Sequence, residues 1–579
     1  MTFFQKLFNK IENAYPLYLI TALIVIPLIT YFPSLFNYFV WDDEEQIVNN
    51  VIIQKLSNIP SLFTSSTFNT GGAGLTGFYY KPLMPTAFSI NYFIWHANPF
   101  GFHLFDLVLH IINGVLVFIL LKKLFILQKI PYSKTLAFLL SIIFVIHPAN
   151  TESVAYISST QELLYTFFLL SALLLTLKFI GNKTKSIGLI TFINISIFLS
   201  LLSKESGIIT LPLVIILIYL YTRNKLIPIL ISSSITFITY LIFRFVLAKT
   251  PIVQHNSIIP IANATFLDRL KTIPFELFSY LRLFFFPKDL FVAQHLVINS
   301  FSDPRFYVSF IITALVIILL IFLTHKNRSK LFLFFLLWTF FSFFLILNIY
   351  PLDMTIAERW LYGPMIGILG LIGILMANLL KSKKSYLTYA LITIILIIII
   401  FFARTFLRTF NWHDDLALFS HDEPFSKDSF DLQNNLGVAF FRNGNLADAK
   451  IHFEKSIALS PKWWTAYNNL GVIYEKEENL IKAGELYENS IKNGNYYLAY
   501  ENLARIKLKT EKPENVIPFL RNSLNLLPYN ETLNKIAALA FYLNGATDSA
   551  KLYAQRAFLI NRSQENYQLI QAIMGGKPL

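Results

Sequence analysis

The sequence predicts an all-α chain in two parts, a polytopic membrane helix bundle followed by a soluble α-solenoid, and two observations carry that prediction. Hydrophobic residues make up 55% of the 579 and charged residues only 14%, with a mean hydropathy of +0.55, far too apolar for a soluble chain of this length. Near residue 411 this composition gives way to a soluble stretch in which Asn434-Asn435-Leu436-Gly437 returns one period later as Asn468-Asn469-Leu470-Gly471. The expected limits are 1–410 for the membrane part, 411–429 for a linker, 430–564 for about four repeats and 565–579 for a terminal cap.

A membrane span needs roughly twenty apolar residues, and about eleven segments approach that length. In order they are Tyr15 to Phe36, Leu104 to Leu127, Leu136 to Ile146, Leu163 to Phe179, Leu189 to Leu202, Ile208 to Tyr221, Leu226 to Leu247, Phe306 to Thr324, Leu331 to Ile349, Leu361 to Leu380 and Leu387 to Phe406. Basic residues fall in alternate connections: Lys6 and Lys10, then Lys122, Lys123, Lys129 and Lys134, Lys183 and Lys185, Arg223 and Lys225, Lys326, Arg328 and Lys330, and Lys381, Lys383 and Lys384. The positive-inside rule makes these sides cytoplasmic, which places the N-terminus in the cytoplasm and the repeat array outside it. The net charge of +14 is thereby a signature of bilayer orientation and not of nucleic-acid binding. The first apolar run, interrupted by Pro27 and Pro33 and followed by no small-residue cleavage site, reads as a retained helix. The absence of cysteine excludes disulfides and thiolate metal sites. Between the first two spans, Ile47 to Phe63 and Pro82 to Trp95 read as amphipathic helices on the membrane surface, and Gly71 to Gly77 as a flexible loop without the Lys-Ser or Lys-Thr of a phosphate loop.

The 34-residue spacing of the soluble part is the tetratricopeptide period. The first unit has Phe440, Ala449, Phe453 and Pro461 where that repeat places aromatic, small, aromatic and turn residues. Tyr467, Tyr474, Ala483 and Tyr487 follow, then Tyr500, Leu503, Ala504, Leu520 and Pro528, and a weaker unit with Ala538, Phe541, Ala550 and Ala557. Such units stack into a concave solenoid that binds peptides or proteins, and the expected binding face carries Asn434, Asn435, Asn468, Asn469 and Tyr500.

Unusual polar residues gather at the outer ends of the spans: Trp41-Asp42-Asp43-Glu44-Glu45, His103, His147 to Glu152, Lys204-Glu205 and Glu358-Arg359. Ionisable groups at a bilayer boundary are costly unless they pair or line a watery cavity, so one face of the bundle is the expected site. Phe39-Val40-Trp41-Asp42-Asp43, Tyr80-Lys81-Pro82-Leu83, Asn98 to Leu104 with Leu109 to Asn113, His147-Pro148 with Thr151 to Ala155, and Ala357 to Tyr362, in that order and ahead of the repeats, resemble the transmembrane and tetratricopeptide-repeat-containing protein O-mannosyltransferases. The resemblance implies the GT-C glycosyltransferase architecture, a polyprenyl-phosphate-linked sugar as donor, and a protein acceptor outside the cytoplasm. Animal members use dolichyl-phosphate mannose and modify Ser or Thr of cadherin domains; this chain departs from them in its short array. The lack of cysteine and the short array fit a prokaryotic protein, whose plasma (inner) membrane would then hold it.

Moving a sugar from phosphate to a hydroxyl requires a base for the acceptor proton and positive charge for the departing phosphate. Asp42 or Asp43 is the expected base, by the family's acidic residue in the first outer loop; the alternative is that both cap the following helix. Arg359, Lys204 and Arg244, with Arg282 and Lys81 as weaker candidates, are the expected phosphate ligands, and His103 an expected donor contact. Arg359 with Glu358, and Lys204 with Glu205, can equally be internal ion pairs, and Arg244 can snorkel. His147, Glu152 and Glu358 are the expected acceptor or sugar contacts, though His147-Pro148 also reads as a helix end and Glu152 as a helix N-terminal residue. No metal site is expected, since no pair has His-x-x-x-His spacing and His103 and His110 lie two turns apart. The reading is thus a membrane protein O-glycosyltransferase that transfers mannose or another hexose. The rivals are an enzyme with a glycan or lipid acceptor and a membrane-anchored scaffold; a transporter is disfavoured by the absence of inverted broken-helix repeats.

Overall fold

In the computed structural model the described residues are 3–67, 79–182, 186–251, 258–327, 329–382 and 386–575, and every regular element among them is helical. Gly71 to Gly77, Lys183, Lys185, Arg328, Lys383 and Lys384 lie outside the described residues. The chain divides into two compact units, one of residues 1–70 and 76–426 and the other of residues 71–75 and 427–579.

The first unit is a bundle of apolar helices. Among the described residues, six are long and apolar enough to cross a membrane, Pro99–Leu127, Ile157–Gly181, Arg223–Leu247, Pro304–Asn327, Glu358–Leu380 and Thr388–Asn411. Two bent pairs, Lys6–Asn13 with Pro16–Thr30 and Ser133–Val145 with Pro148–Ala155, pass the same test together, and Ile187–Ser203, Glu205–Tyr221 and Lys330–Ile346 are shorter apolar helices. Each segment expected as a span therefore corresponds to one helix or one bent pair.

Burial separates the centre of the bundle from its rim. The apolar window of Glu358–Leu380 is 67% buried, whereas that of Pro304–Asn327 is 11% buried. The central helix reaches this packing through glycine. A Cβ on Gly363 would fall 2.1 Å from Tyr165 Oη, and one on Gly370 would fall 2.3 Å from Phe335. Small residues allow such approach where lipid supplies no hydrophobic drive between helices. Polar groups inside the bundle find partners: His110 Nδ1 is 2.8 Å from Tyr362 Oη and its Nε2 is 2.9 Å from the Val145 carbonyl. Asn113 Nδ2 donates to the Leu163 carbonyl at 3.0 Å.

The helix Ser133–Val145 breaks by 51° before Pro148–Ala155, and the residues there explain the break. Proline lacks an amide hydrogen and pushes the residue before it out of helical geometry, and His147 is extended with φ −68 and ψ 127. Its Nδ1 then accepts from the Ala149 amide at 3.2 Å, and Asn150 Nδ2 donates at 2.7 Å to the Phe144 carbonyl in the last turn of the broken helix. Of the two surface helices expected, Leu83–Trp95 forms and the one over 47–63 does not. That stretch is a short wide turn Glu44–Val48, a tight turn Leu56–Asn58 and one helical turn Ile59–Leu62. Asn50 and Asn58 break it by bonding to the backbone: Asn50 Oδ1 accepts from the Ile52 amide and Asn58 Nδ2 donates to the Ile52 carbonyl, side-chain bonds that compete with helix. The segment expected as a linker also carries a helix, Asp415–Asp422, whose first turn is capped by Asp414 accepting from the Ala417 amide at 2.8 Å.

The second unit is a solenoid of antiparallel helix pairs, beginning with Phe430–Arg442 against Leu446–Leu459 and Trp464–Lys476 against Leu480–Asn493, and closing on Gln564–Met574. The repeated glycine is set by packing, because a Cβ on Gly437 would fall 2.6 Å from the Phe453 ring and one on Gly471 2.6 Å from the Tyr487 ring. Gly444 turns the first pair with φ 80, and one period later Glu478 holds the same left-handed conformation with φ 62. Overpacking a filled core costs about 1–3 kcal/mol, so Gly471→Ala is expected to destabilise the second pair by that amount. Hydrogen exchange along Trp464–Lys476 and Leu480–Asn493 reads the loss.

Candidate functional site

A cavity of about 550 Å³ opens in the first unit, lined by Tyr79, Lys81, Gln161, Lys204, Glu205, Arg244, Asp353 and Arg359 on its polar side and by Ile208, Phe344, Leu345, Ile346, Ile349 and Leu352 on its apolar side. Its size lies in the range of ligand pockets. Three expected phosphate ligands, Arg359, Lys204 and Arg244, thus meet around one space, joined by Lys81; Arg282 instead reaches Asp289, at 3.3 Å.

The ion pairs are not those between sequence neighbours. Lys204 pairs with Glu162, not Glu205, and Glu205 pairs with Arg244 at 3.4 Å. Arg359 pairs with Glu152, not Glu358, and its backbone amide donates to Glu152 Oε2 at 2.8 Å. Successive side chains point in different directions, so each cation finds its carboxylate on another element. Lys81 differs from the other three: among the described residues it makes no ion pair, and its ammonium lies 4.1 Å from the centroid of the Tyr79 ring. Burial holds that ammonium below the ordinary lysine range; Glu205 and Asp353 oppose the shift and Lys204 adds to it.

The two adjacent aspartates have different surroundings. Asp43 is fully buried and accepts from the Ser158 amide at 2.7 Å, the Ser158 hydroxyl at 2.6 Å and the Val40 amide at 3.2 Å. Asp42 is half-buried and accepts from the Tyr156 hydroxyl at 2.9 Å, with Arg359, Asp353 and Glu45 in electrostatic reach. Burial pushes both carboxyls above the ordinary carboxylate range, Asp43 to about 7 in spite of its bonds to Ser158 and Val40. Asp42 is therefore the less buried of the two and has Arg359 of the cavity wall in electrostatic reach, though it does not itself line the cavity, while Asp43 ties the turn to Ser158. The turn is unusual at Trp41, whose φ of 56 lies in the left-handed region, a conformation that clusters at functional sites.

Several expected contacts are corrected by this geometry. His147 has no nitrogen for a substrate, because its second ring nitrogen, Nε2, lies 2.9 Å from the Phe284 carbonyl and the ring packs on Phe284 and Phe401. Glu152 is fully buried and spends both carboxylate oxygens on Arg359. Glu358 is fully buried, does not line the cavity, and has Arg408 and Asp422 among its charged neighbours. His103 is buried away from the cavity lining. Among the described residues, no group of three or more His, Cys, Asp or Glu is placed around a common point. Sequence reasoning missed Asp353, Tyr79 and Tyr156; the signal for Asp353 was an acid alone in the apolar connection before Ala357.

The repeat residues are corrected as well. Asn469 Nδ2 donates to Asn434 Oδ1 at 3.0 Å and Asn502 Nδ2 to Asn468 Oδ1 at 3.0 Å, so Asn434 and Asn468 form a buried ladder between neighbouring repeats. Tyr500 is buried and stacks on Phe519. Only Asn435 and Asn469 of the expected set keep partial exposure.

The tetratricopeptide-repeat family model matches residues 430–463. Over 451 residues the chain is 28% identical to the protein O-mannosyl-transferase F38B6.6 of Caenorhabditis elegans, covering 76% of this chain and 62% of that protein. It is 27% identical to human protein O-mannosyl-transferase TMTC3 over 219 residues, 37% of this chain and 23% of that one. With human TMTC1 it shares 32% over 186 residues, 30% of this chain and 20% of that one. The chain spans less than two thirds of the length of these curated relatives. Among solved structures, the tetratricopeptide protein YrrB superposes with a TM-score of 0.25 and 16% identity over 27% of this chain and 82% of that one.

Proposed function

We propose, of a chain homologous to the protein O-mannosyl-transferases, that it is a membrane glycosyltransferase of GT-C type. It takes mannose or another hexose from a polyprenyl-phosphate carrier and transfers it to Ser or Thr hydroxyls of exported proteins on the extracytoplasmic face. The observation that supports this reading most is the cavity itself, which Lys81, Lys204, Arg244 and Arg359 line together with apolar side chains, Arg359 being also in electrostatic reach of the half-buried Asp42, which is not itself a lining residue.

Each part has work to do in that reaction. The four cations offset the charge of the lipid phosphate as the bond from the sugar's anomeric carbon to the phosphate oxygen breaks. A phosphate leaves without an acid, so one base suffices: Asp42 takes the proton from the acceptor hydroxyl as its oxygen bonds to the anomeric carbon. Phe344, Leu345, Ile346 and Ile349 suit the start of the prenyl chain. The solenoid holds an exported protein near the site and raises its local concentration.

Among the described residues, Lys81 has no carboxylate ion-pair partner to release before it meets phosphate. A hydrogen bond to a charged group contributes about 1.5–3 kcal/mol, so Lys81→Gln is expected to raise the donor KM by about 10- to 100-fold with a smaller change in kcat; steady-state kinetics with varied polyprenyl-phosphate mannose in vesicles measures it. The pH profile follows from Asp42, which works ionised and whose carboxyl is held above the ordinary range by burial. The rate of kcat/KM should fall as pH drops through a value above about 4. The Tyr156 hydroxyl bond favours the ionised form, so Tyr156→Phe is expected to move that acid limb higher still. Transfer from labelled polyprenyl-phosphate mannose to a Ser/Thr peptide by the protein in vesicles tests the reading, and no transfer to peptide with transfer to a glycan or lipid would overturn its acceptor.

A further inference from the structure

The stretch 409–426, from the end of the last apolar helix to the start of the solenoid, supports the turn that carries Asp42. Trp41 holds a left-handed backbone, strained for a residue with a Cβ, and its amide donates at 2.8 Å to Oδ1 of Asp415. The indole stacks on Tyr156 at 5.2 Å and 16° and meets the edge of Phe419 at 6.5 Å. Tyr156, which holds Asp42 through its hydroxyl, is backed in turn by Trp412, stacked at 5.5 Å and 28°. Just before the turn, the Tyr38 amide donates to the His413 carbonyl at 2.9 Å and Asn37 Nδ2 to the Thr409 carbonyl at 3.1 Å.

The supporting stretch is itself fastened from behind. Asp422 is fully buried, accepts from the Val292 amide at 2.8 Å and pairs with Arg408 at 3.2 Å, while the Ser426 hydroxyl donates to the Ala293 carbonyl. Trp412, Asp415 and Phe419 thus reach the Trp41 turn and its Tyr156 partner from a segment held in place at its far end. A carboxylate accepting a backbone amide is among the stronger hydrogen bonds, large enough to offset the strain of one left-handed residue.

We propose that Asp415 is a positioning residue for Asp42: it fixes the Trp41 amide, and so the left-handed turn from which the Asp42 carboxylate meets the Tyr156 hydroxyl. This rests on Asp42 being the base. An aim error of about an ångström can cost up to on the order of a hundredfold in rate, so the effect of Asp415 falls on kcat and leaves donor binding in place.

The test uses the full chain in vesicles, with Asp415→Ala and Asp415→Asn. Asp415→Ala is expected to expose the Trp41 amide to hydrogen exchange and to lower kcat by about tenfold or more, with the donor KM within about twofold of the parent. Asp415→Asn keeps an acceptor oxygen and is expected to restore most of the protection and most of kcat. An Asp415→Ala chain whose Trp41 amide stays protected, or whose kcat equals the parent's, overturns the proposal. In either variant a loss that falls on donor KM instead of kcat also overturns it, and if the alanine variant fails to accumulate, an Asp415→Asn chain whose Trp41 amide exchanges freely while kcat equals the parent's overturns it. A parent chain with a protected Trp41 amide and no transfer overturns the function assigned to Asp42 and leaves the anchoring of the turn standing.

Discussion

Replacing Asp42 with Asn is expected to lower sugar transfer by about two to four orders of magnitude, the usual contribution of a positioned general base, and to leave the amount and melting temperature of the protein nearly unchanged. Asn keeps the size of Asp and still accepts from the Tyr156 hydroxyl, but it takes no proton. Asp43→Asn separates the two neighbours. Asp43 accepts three hydrogen bonds in a fully buried site, and an amide there turns its NH2 toward a donor, leaving a buried group unsatisfied at a cost of about 1–3 kcal/mol. The expected result is therefore an Asp42→Asn chain that is stable and inactive and an Asp43→Asn chain that is destabilised, read by transfer rate and thermal unfolding of the purified proteins. A stable Asp43→Asn chain without activity, beside an active Asp42→Asn chain, would exchange their roles.

The largest loss of stability is expected from Glu152→Gln. Glu152 is fully buried and binds both the guanidinium and the backbone amide of Arg359, so the substitution leaves a buried charge without its counterion, at a cost of about 3–5 kcal/mol. Removing both charges at once is a different experiment. Glu152→Leu with Arg359→Met exchanges the pair for apolar volume, which is often neutral for stability, but takes one cation from the cavity wall. The double variant is expected to recover the melting temperature and to remain poor in transfer with a raised donor KM. A double variant with parental kinetics would reduce Arg359 to an internal strut.

How much of this was legible in the sequence depends on how far apart the partners lie. The repeat was legible because Gly437 and Gly471 make room for rings in their own units, Phe453 and Tyr487, so the pattern recurs with the period. The spans were legible from length, since the bilayer sets it. The gathering of Arg359, Lys204 and Arg244 was legible as charge at helix ends, but their carboxylates were not. Glu162 and Glu152 sit 42 and 207 residues from the cations they hold, and nothing in the chain order marks them. His147 read as a substrate contact or as a helix end because it stands before Pro148 at the outer end of a span, and the structure uses it as the helix end, with backbone partners for both ring nitrogens. The segment after residue 411 read as a linker because it is polar and short, while its partners Trp41 and Val292 lie 374 and 130 residues before the aspartates that bind them. Asn434 and Asn468 read as a binding face for the reason they recur, and stacking of neighbouring repeats is what uses them.

Mass analysis of glycopeptides from exported proteins tests the central claim most directly, in cells with the native chain, with a deletion, and with Asp42→Asn. Hexose-sized modifications on Ser or Thr are expected with the native chain, with equal loss in the deletion and in Asp42→Asn. Unchanged protein glycans in the deletion, or full modification with Asp42→Asn, would contradict it.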